Sequence, residues 1–220
     1  MTIGCIYFVY AQTEKDLPRI LKDDWLLAIQ SAESLKKHMP NVKTSVYTNF
    51  KIDVPQCFDY HTLWPDPNDL WNFKYQCLLD SPYDITLHLD ADTFVCDSFS
   101  EVFTMMDRFD LVMPLSVTYV ARHFSDIPDS FPELAGGFMV FKKSEVTHEF
   151  LLSTLYHVNH RSGGCDEPCI RRAVYETDIR YAIPITGEDA EHLITDKRDL
   201  PEPDTKQIKG RTVRFEGITY

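Results

Sequence analysis

The sequence predicts an α/β sandwich with a mostly parallel, mixed central sheet, and three observations support this prediction. Segments rich in β-branched and aromatic residues alternate with segments of helical periodicity, most clearly in the first half of the chain. The length of 220 residues suits one large α/β domain, so we expect a single domain over residues 1–220. Hydrophobic residues make up 44% of the chain, which is enough for a packed core.

The predicted strands are short apolar runs bounded by turn-forming residues. They cover residues 3–10, 44–48, 56–61, 84–89, 110–114, 136–141 and 181–185, and the later ones are candidates for antiparallel strands. The predicted helices follow apolar residues at helical spacing. The first begins near Trp25 and ends before Pro40, and the others cover 73–79, 98–106, 144–158 and 166–175. We expect residues 12–22 to be a polar stretch and 64–72 a loop or helix entry.

The chain is strongly acidic, with a formal net charge of -12 and a pI of about 5.0. This balance argues against a nucleic-acid partner, because such partners are bound through basic surfaces. A phosphate-bearing ligand would also be repelled unless a metal ion or a local cation intervened.

The six cysteines lie mostly in apolar runs, which predicts buried free thiols. Neither a secretory signal nor an apolar stretch of transmembrane length is apparent, so we expect a cytoplasmic protein with no membrane-spanning segment. Cys165 and Cys169 are four residues apart, but the sequence offers too few further ligands at suitable spacing to predict a zinc site.

The most informative motif is the pair Asp90 and Asp92, separated by Ala91, directly after the predicted strand 84–89. A strand that ends in this way places both carboxylates at the edge where open α/β sheets bind ligands. Two hard oxygen donors suit Mn²⁺ or Mg²⁺, which would let an acidic protein hold a diphosphate. The alternative is that the two residues only form turn and capping hydrogen bonds.

This strand and its Asp pair resemble the Asp-Xaa-Asp strand of glycosyltransferases of the GT-A (Rossmann-like) fold, particularly glycogenin- and galactosyltransferase-like enzymes and related viral and bacterial transferases. Further segments agree in order, over about residues 3–180: 6–11, 46–48, Lys74, 134–141 and 166–167. The resemblance implies a hexosyltransferase-like enzyme that uses a metal ion. Its donor would be a nucleotide-diphospho-sugar, with a UDP-sugar favoured, and its acceptor a hydroxyl group on a glycan or another molecule.

The resemblance also implies which residues contact the donor: Tyr10, Ala11, Gln12, Thr48, Lys74, Asp90, Ala91, Asp92, Gly136, Gly137 and Arg211. Many such enzymes supply a further metal ligand, often His, near the C-terminus. Here Arg211 and Arg214 occupy that region and His192 is the nearest histidine, so an arginine is a candidate for contacting the diphosphate instead.

Several residues near the expected site also have a purely structural interpretation. Lys74 would be an exposed helix lysine, and Gly136 and Gly137 a simple turn before a strand. Trp64 and Trp71 are expected in the core rather than stacked on a ligand. The alternation of the strand directs His88 to the face opposite the Asp pair, where it would belong to the core or support the site.

Three acids are candidates for acceptor binding or for a general base: Glu133, Asp166 and Glu167. We favour Asp166 and Glu167, because they stand at a predicted helix start where the resemblance also places an acidic motif. The alternative for Asp166 is that it caps the helix.

Two other functions are compatible with the Asp pair. A haloacid-dehalogenase-like phosphatase also carries Asp-Xaa-Asp after an apolar strand, with the first Asp as nucleophile. That signature normally lies on the first strand, whereas at least two predicted strands precede it here. A non-catalytic sugar-nucleotide-binding module with the same fold would keep the metal site and lack acceptor chemistry.

Overall fold

The computed structural model of the protein describes residues 1–64, 70–116, 124–160, 165–184 and, for the backbone, 194–196. Its strands are β1 Ile3–Val9, β2 Lys43–Thr48, β3 Tyr60–Leu63, β4 Ile85–Leu89, β5 Thr93–Val95, β6 Leu111–Val112, β7 Phe138–Lys142, β8 Tyr181–Ala182 and β9 Ile194–Asp196. The helices are α1 Leu17–Lys22, α2 Asp24–His38, α3 Leu70–Leu79, α4 Glu145–Asn159 and α5 Glu167–Glu176, with a 3-10 helix at Ser100–Asp107. Within these ranges, every helix is too short or too polar to cross a membrane.

Seven strands form the main sheet in the order β3-β2-β1-β4-β7-β6-β8. The first four are mutually parallel, and β7 runs antiparallel to its neighbours β4 and β6. A separate two-stranded antiparallel sheet joins β5 to β9. The predicted α/β fold with a mostly parallel, mixed sheet is therefore confirmed.

The alternation of side chains along β1 shows how the layers form. Cys5 and Tyr7 belong to the apolar cluster that includes Trp25 and Leu35 of α2. Ile6, between them, belongs to a second cluster with residues of α3, α4 and α5. Because successive strand residues point to opposite faces, the helices lie on both sides of the sheet, as in a three-layer sandwich.

The sequence-based boundaries differ from the structure where local pattern is weak. Helix α1 falls in the predicted polar stretch 12–22, and β5 with its partner β9 was not expected. The segment predicted as a helix over 98–106 is a 3-10 helix. Strand β3 begins at Tyr60 rather than at residue 56. None of these differences moves β4, which is buried along its whole length.

Gly4 in β1 provides a test of how tightly this sheet packs. A Cβ atom at this position would collide with the ring of Tyr83, whose hydroxyl lies 2.6 Å from Ser45 Oγ. We predict that Gly4→Ala lowers the free energy of unfolding by about 1–3 kcal/mol, as overpacking does. Denaturant titration of Gly4→Ala in the wild-type and Tyr83→Ala backgrounds checks this. An equal cost in both backgrounds would show that the ring is not the cause.

Candidate functional site

A cavity of about 410 Å³ opens at the carboxyl ends of β1 and β4. Its walls come from the end of β1 and the following loop, from α1 and the start of α2, from the start of α3, and from the turn after β4. They comprise Phe8, Val9, Tyr10, Gln12, Asp16, Arg19, Ile20, Asp24, Leu27, Leu70, Trp71, Asp90, Ala91 and Asp92. Both the position at the sheet edge and the volume suit a small-molecule ligand.

Asp90 and Asp92 lie together on this cavity wall, as the sequence predicts. The backbone N–H of Asp90 donates to Gly137 O (2.9 Å), and the Thr93 N–H donates to Asp90 O (3.0 Å). The backbone of Asp90 therefore forms a turn that is bonded to the residue directly before β7. Both aspartates belong to this turn and also line the cavity.

Lys74 is one of the most buried residues of the protein, with 1% of its surface exposed. Its Nζ donates to Gly136 O (2.9 Å) and forms ion pairs with Asp166 Oδ2 (3.0 Å) and Asp90 Oδ1 (3.9 Å). Burial alone would lower the pKa of Lys74, but the charges of the two aspartates outweigh it and raise the pKa. The interpretation as an exposed helix lysine is therefore wrong. Lys74 lies behind the cavity wall, and its expected contact with the donor stays a prediction.

Asp166 lies at the N-cap position of α5, yet its side chain makes no capping hydrogen bond. Its Oδ2 instead accepts a hydrogen bond from the Tyr75 hydroxyl (2.8 Å) and faces Lys74. Burial, followed by the charge of Asp166, raises the pKa of Tyr75 well above its ordinary value, so the phenol keeps its proton and remains a donor. The capping interpretation of Asp166 is wrong, and the side chain is the interior counterion of Lys74.

Gly136 and Gly137 lie against this charged cluster. A Cβ atom on Gly136 would stand 3.0 Å from Asp166 Oδ2 and 3.1 Å from Lys74 Nζ. One on Gly137 would stand 2.9 Å from Asp90 Oδ2. The two glycines thus leave room for the ends of the Asp90, Asp166 and Lys74 side chains, which a Cβ atom at either position would crowd. Their expected contact with a sugar stays a prediction.

His88 is fully buried and connects Asp90 to β1. Its Nδ1 lies 3.1 Å from Ile6 O, and its Nε2 lies 3.2 Å from Asp90 Oδ1. Residues two apart along a strand share a face, so the expectation that His88 points away from the Asp pair is wrong for Asp90. The expected supporting role is correct, because the ring fixes the carboxylate of Asp90.

A second acidic group lies beside α5. The Ser116 hydroxyl donates to Glu167 Oε1 (3.2 Å), and the Ser116 N–H donates to Glu133 O (2.8 Å). Burial is the main cause that raises the pKa of Glu167 to about 7, and the charges of Asp166 and Glu133 add to it. The structure therefore brings the three predicted acids together, and Glu167 is the one that retains partial exposure.

The loop after β1 is held by a residue that the sequence-based reasoning missed. Asn49 accepts a hydrogen bond from the Ala11 N–H at Oδ1 (2.9 Å) and donates from Nδ2 to Ala11 O (2.7 Å). This pair of bonds fixes the backbone between Tyr10 and Gln12, both of which line the cavity. Thr48, by contrast, bonds to Phe50 O (2.7 Å) and His61 Nε2 (2.8 Å) and does not line it.

The α1–α2 wall contributes three further charged residues that were not predicted: Asp16, Arg19 and Asp24. The signal that could have located α1 is Asp16 followed by Pro18, since proline favours the first turn of a helix. Trp71 also lines the cavity, contrary to the core expectation, whereas Trp64 packs against Tyr47 as expected.

The metal prediction rests on two carboxylates. Among the described residues, no group of three or more His, Cys, Asp or Glu could hold a metal ion. A pair of carboxylates still fits Mg²⁺ or Mn²⁺, which commonly complete their shell with water and phosphate oxygens. Arg211, Arg214 and His192 lie outside the described residues. All six cysteines have free thiols.

Comparison with known structures identifies the fold. The chain is similar to the glycosyltransferase GlyE from Streptococcus pneumoniae TIGR4, with a TM-score of 0.53 and 14% identity over 83% of this chain. The apo form of GlyE matches with a TM-score of 0.53 and 13% identity. In both cases this chain spans 45% of the GlyE chain. No protein-family model and no curated protein matches the sequence. The likeness shows a glycosyltransferase fold.

The buried ion pair gives a test of the site's construction. We predict that Lys74→Met lowers the free energy of unfolding by about 3–5 kcal/mol, because Asp166 would be left charged and buried without its cation. The double variant Lys74→Met/Asp166→Asn should be more stable than Lys74→Met alone, since the unpaired charge is removed. Denaturant titration measures both.

Lys37→Met, on the exposed face of α2, is the matched control for the loss of one lysine charge. A cost for Lys74→Met as small as that of Lys37→Met would contradict the central role of the buried ammonium.

Proposed function

We propose that the protein is a metal-dependent glycosyltransferase of the GT-A type that transfers a sugar from a nucleotide-diphospho-sugar to a hydroxyl acceptor. A UDP-sugar is the first donor to test. The observation that supports this proposal most directly is the position of Asp90 and Asp92. They lie side by side on a cavity at the carboxyl ends of β1 and β4, in a chain with a glycosyltransferase fold.

Asp90 and Asp92 would hold the divalent ion. When bound, the ion would act as a Lewis acid that offsets the negative charge of the leaving diphosphate. His88 and Lys74 fix one oxygen of Asp90, and Gly137 leaves room for the other. The protein thus orients the carboxylate of Asp90 before any donor arrives, which lowers the free-energy cost of assembling the metal site.

The cavity walls at the end of β1 suit a nucleoside. Tyr10 and Trp71 offer aromatic surfaces for a base, and Gln12 offers both hydrogen-bond donors and acceptors. The bonds from Asn49 to Ala11 keep Tyr10 and Gln12 in position. A base would therefore meet a preformed surface at this end of the cavity.

For the acceptor, Glu167 is the best candidate for a residue that removes a proton. A general base works best when its pKa lies near the working pH, and the pKa of Glu167 is raised to about 7. Asp166 is occupied by Lys74 and Tyr75, and Glu133 is 3% exposed. Within the predicted Asp166–Glu167 pair, the proton-accepting role thus goes to Glu167 and the positioning role to Asp166.

The two alternative functions fit less well. In a phosphatase of the haloacid-dehalogenase type, Asp90 would be the nucleophile, yet one of its oxygens already contacts His88 and Lys74. Three strands also precede the Asp-bearing strand β4. A sugar-nucleotide-binding module would bind the donor without turnover, so measuring donor hydrolysis and transfer separates it from an enzyme.

The metal role of the Asp pair is tested by Asp92→Asn. We predict that this variant loses Mn²⁺-dependent binding of UDP while its melting temperature changes little, because Asp92 lies on the cavity wall and is only partly buried. Isothermal titration calorimetry with and without Mn²⁺ measures the effect. Asp53→Asn, an exposed acid, controls for the change in charge. Undiminished metal-dependent affinity in Asp92→Asn would refute the proposal.

The raised pKa of Glu167 makes the stability of the protein depend on pH. Its folded-state pKa of about 7 lies above the ordinary 4.5, so between these values the folded state binds more protons than the unfolded state. The folded state is therefore penalised as pH rises through this window. We predict that the stability of Glu167→Gln relative to wild type increases by about 1–2 kcal/mol from pH 4.5 to pH 8, an amount reduced by the residue's partial exposure.

Denaturant titration across this pH range checks the prediction, with Glu149→Gln on exposed α4 surface as the matched control. The sugar-transfer rate of wild type should also rise with pH through about 7, and Glu167→Gln should lose that rise. A parallel pH profile for wild type and Glu167→Gln would exclude Glu167 as the base.

A further inference from the structure

The charges on the cavity wall are unevenly distributed. The lining includes four carboxylates, from Asp16, Asp24, Asp90 and Asp92, and one cationic side chain, from Arg19. Any ligand that carries phosphate must enter against these acids. Among the described lining residues, Arg19 carries the single guanidinium, so its position indicates where a phosphate group could bind.

The backbone of Arg19 is held firmly by its surroundings. Asp16 anchors the turn before α1 by accepting hydrogen bonds from the Thr13 N–H (3.0 Å) and hydroxyl (2.8 Å). Ile20, the next residue, is 3% exposed and packs in the core. The Asp23 N–H donates to Arg19 O (2.9 Å). The helix is short, but its attachment to the core fixes where the Arg19 side chain starts.

The guanidinium itself is only loosely engaged. Its Nη1 atom lies 3.6 Å from Asp24 Oδ2, which is within ion-pair range but beyond a good hydrogen bond. The side chain of Arg19 is 61% exposed and that of Asp24 41%. Such a pair contributes little to stability, so a ligand can take over the guanidinium at small cost.

Lys74, whose contact with the donor stays a prediction, is already engaged by other groups. Its ammonium faces Gly136 O, Asp166 and Asp90 behind the wall, with 1% of the residue exposed. A guanidinium is also the better phosphate ligand, because its planar array of N–H donors matches two phosphate oxygens at once.

We propose that Arg19 binds the diphosphate of the nucleotide-sugar donor from the α1 wall, while Asp90 and Asp92 approach it from the turn after β4. This inference rests on the proposed function and identifies a cation of the donor site outside the Asp-Xaa-Asp motif. On binding, the phosphate replaces Asp24 as the partner of the guanidinium. Asp24 thereby acts as a positioning residue that holds Arg19 at the cavity when no donor is present.

The test compares ligands that differ only in phosphate. UDP, UMP and uridine are titrated by calorimetry, in the presence of Mn²⁺, into wild type, Arg19→Ala, Arg19→Gln and Arg19→Lys. We expect Arg19→Ala and Arg19→Gln to lose on the order of tenfold to a hundredfold in UDP affinity, as for a charge-assisted hydrogen bond, with uridine affinity unchanged. Arg19→Lys should retain part of the UDP affinity, because it keeps the charge and loses the planar fork.

Arg108→Ala, which removes an exposed arginine at the end of the 3-10 helix, controls for overall charge. Equal losses of UDP affinity in Arg19→Ala and Arg108→Ala would overturn the inference, as would an equal loss for uridine and UDP in the Arg19 variants. If wild type binds UDP and Arg19→Ala binds it equally well, the inference fails while the proposed function stands. If wild type binds none of the three ligands, the UDP-donor function fails, and the inference fails with it.

Discussion

The buried ammonium of Lys74 is the interaction on which the arrangement of the site depends. Removing an ammonium from water costs several kcal/mol, and the cost is recovered only when well-placed oxygens surround it. Here those oxygens come from the turn after β4, the segment before β7 and the start of α5, while Lys74 itself comes from α3. The four segments are distant in the sequence, so satisfying one cation also fixes their relative positions. The cavity wall at Asp90 follows from this packing.

The position of Lys74 beside Asp166 also gives Asp166 and Glu167 different surroundings. Asp166 receives both the ion pair with Lys74 and the Tyr75 hydroxyl, which stabilise its charge in the interior. Glu167, one residue later, accepts a hydrogen bond from the Ser116 hydroxyl, and burial together with two nearby like charges raises its pKa to about 7. Two adjacent carboxylates thus differ in chemistry because of their surroundings. This difference would provide a fixed counterion and a proton acceptor within one helix start.

The elements predicted correctly from sequence are those whose signal is local. In strand β4 the apolar residues Ile85, Leu87 and Leu89 alternate with Thr86 and His88, so both the strand and the emergence of Asp90 and Asp92 at its end could be expected. The burial of Lys74 could not, because helical spacing does not reveal which polar residue finds buried partners 62 to 92 positions away. Helix α1, with six residues, is too short for a periodic pattern. Asn49 was missed because a strand-end amide becomes informative only when the loop it bonds to is known.

The acidity of the cavity constrains how a donor could lie in it. Among the described residues of the wall, acids outnumber the guanidinium four to one, so the places that favour phosphate groups there are those near Arg19 and near a metal ion on Asp90 and Asp92. The remaining wall at Asp16 carries a carboxylate whose oxygen already accepts hydrogen bonds from Thr13. Carboxylates of this kind accept hydrogen bonds from hydroxyl groups and repel phosphates. For a nucleotide-sugar donor, the sign of the charges would therefore favour a neutral, hydroxyl-bearing nucleoside beside Tyr10 and Gln12 after β1, with its diphosphate between Arg19 and the Asp pair.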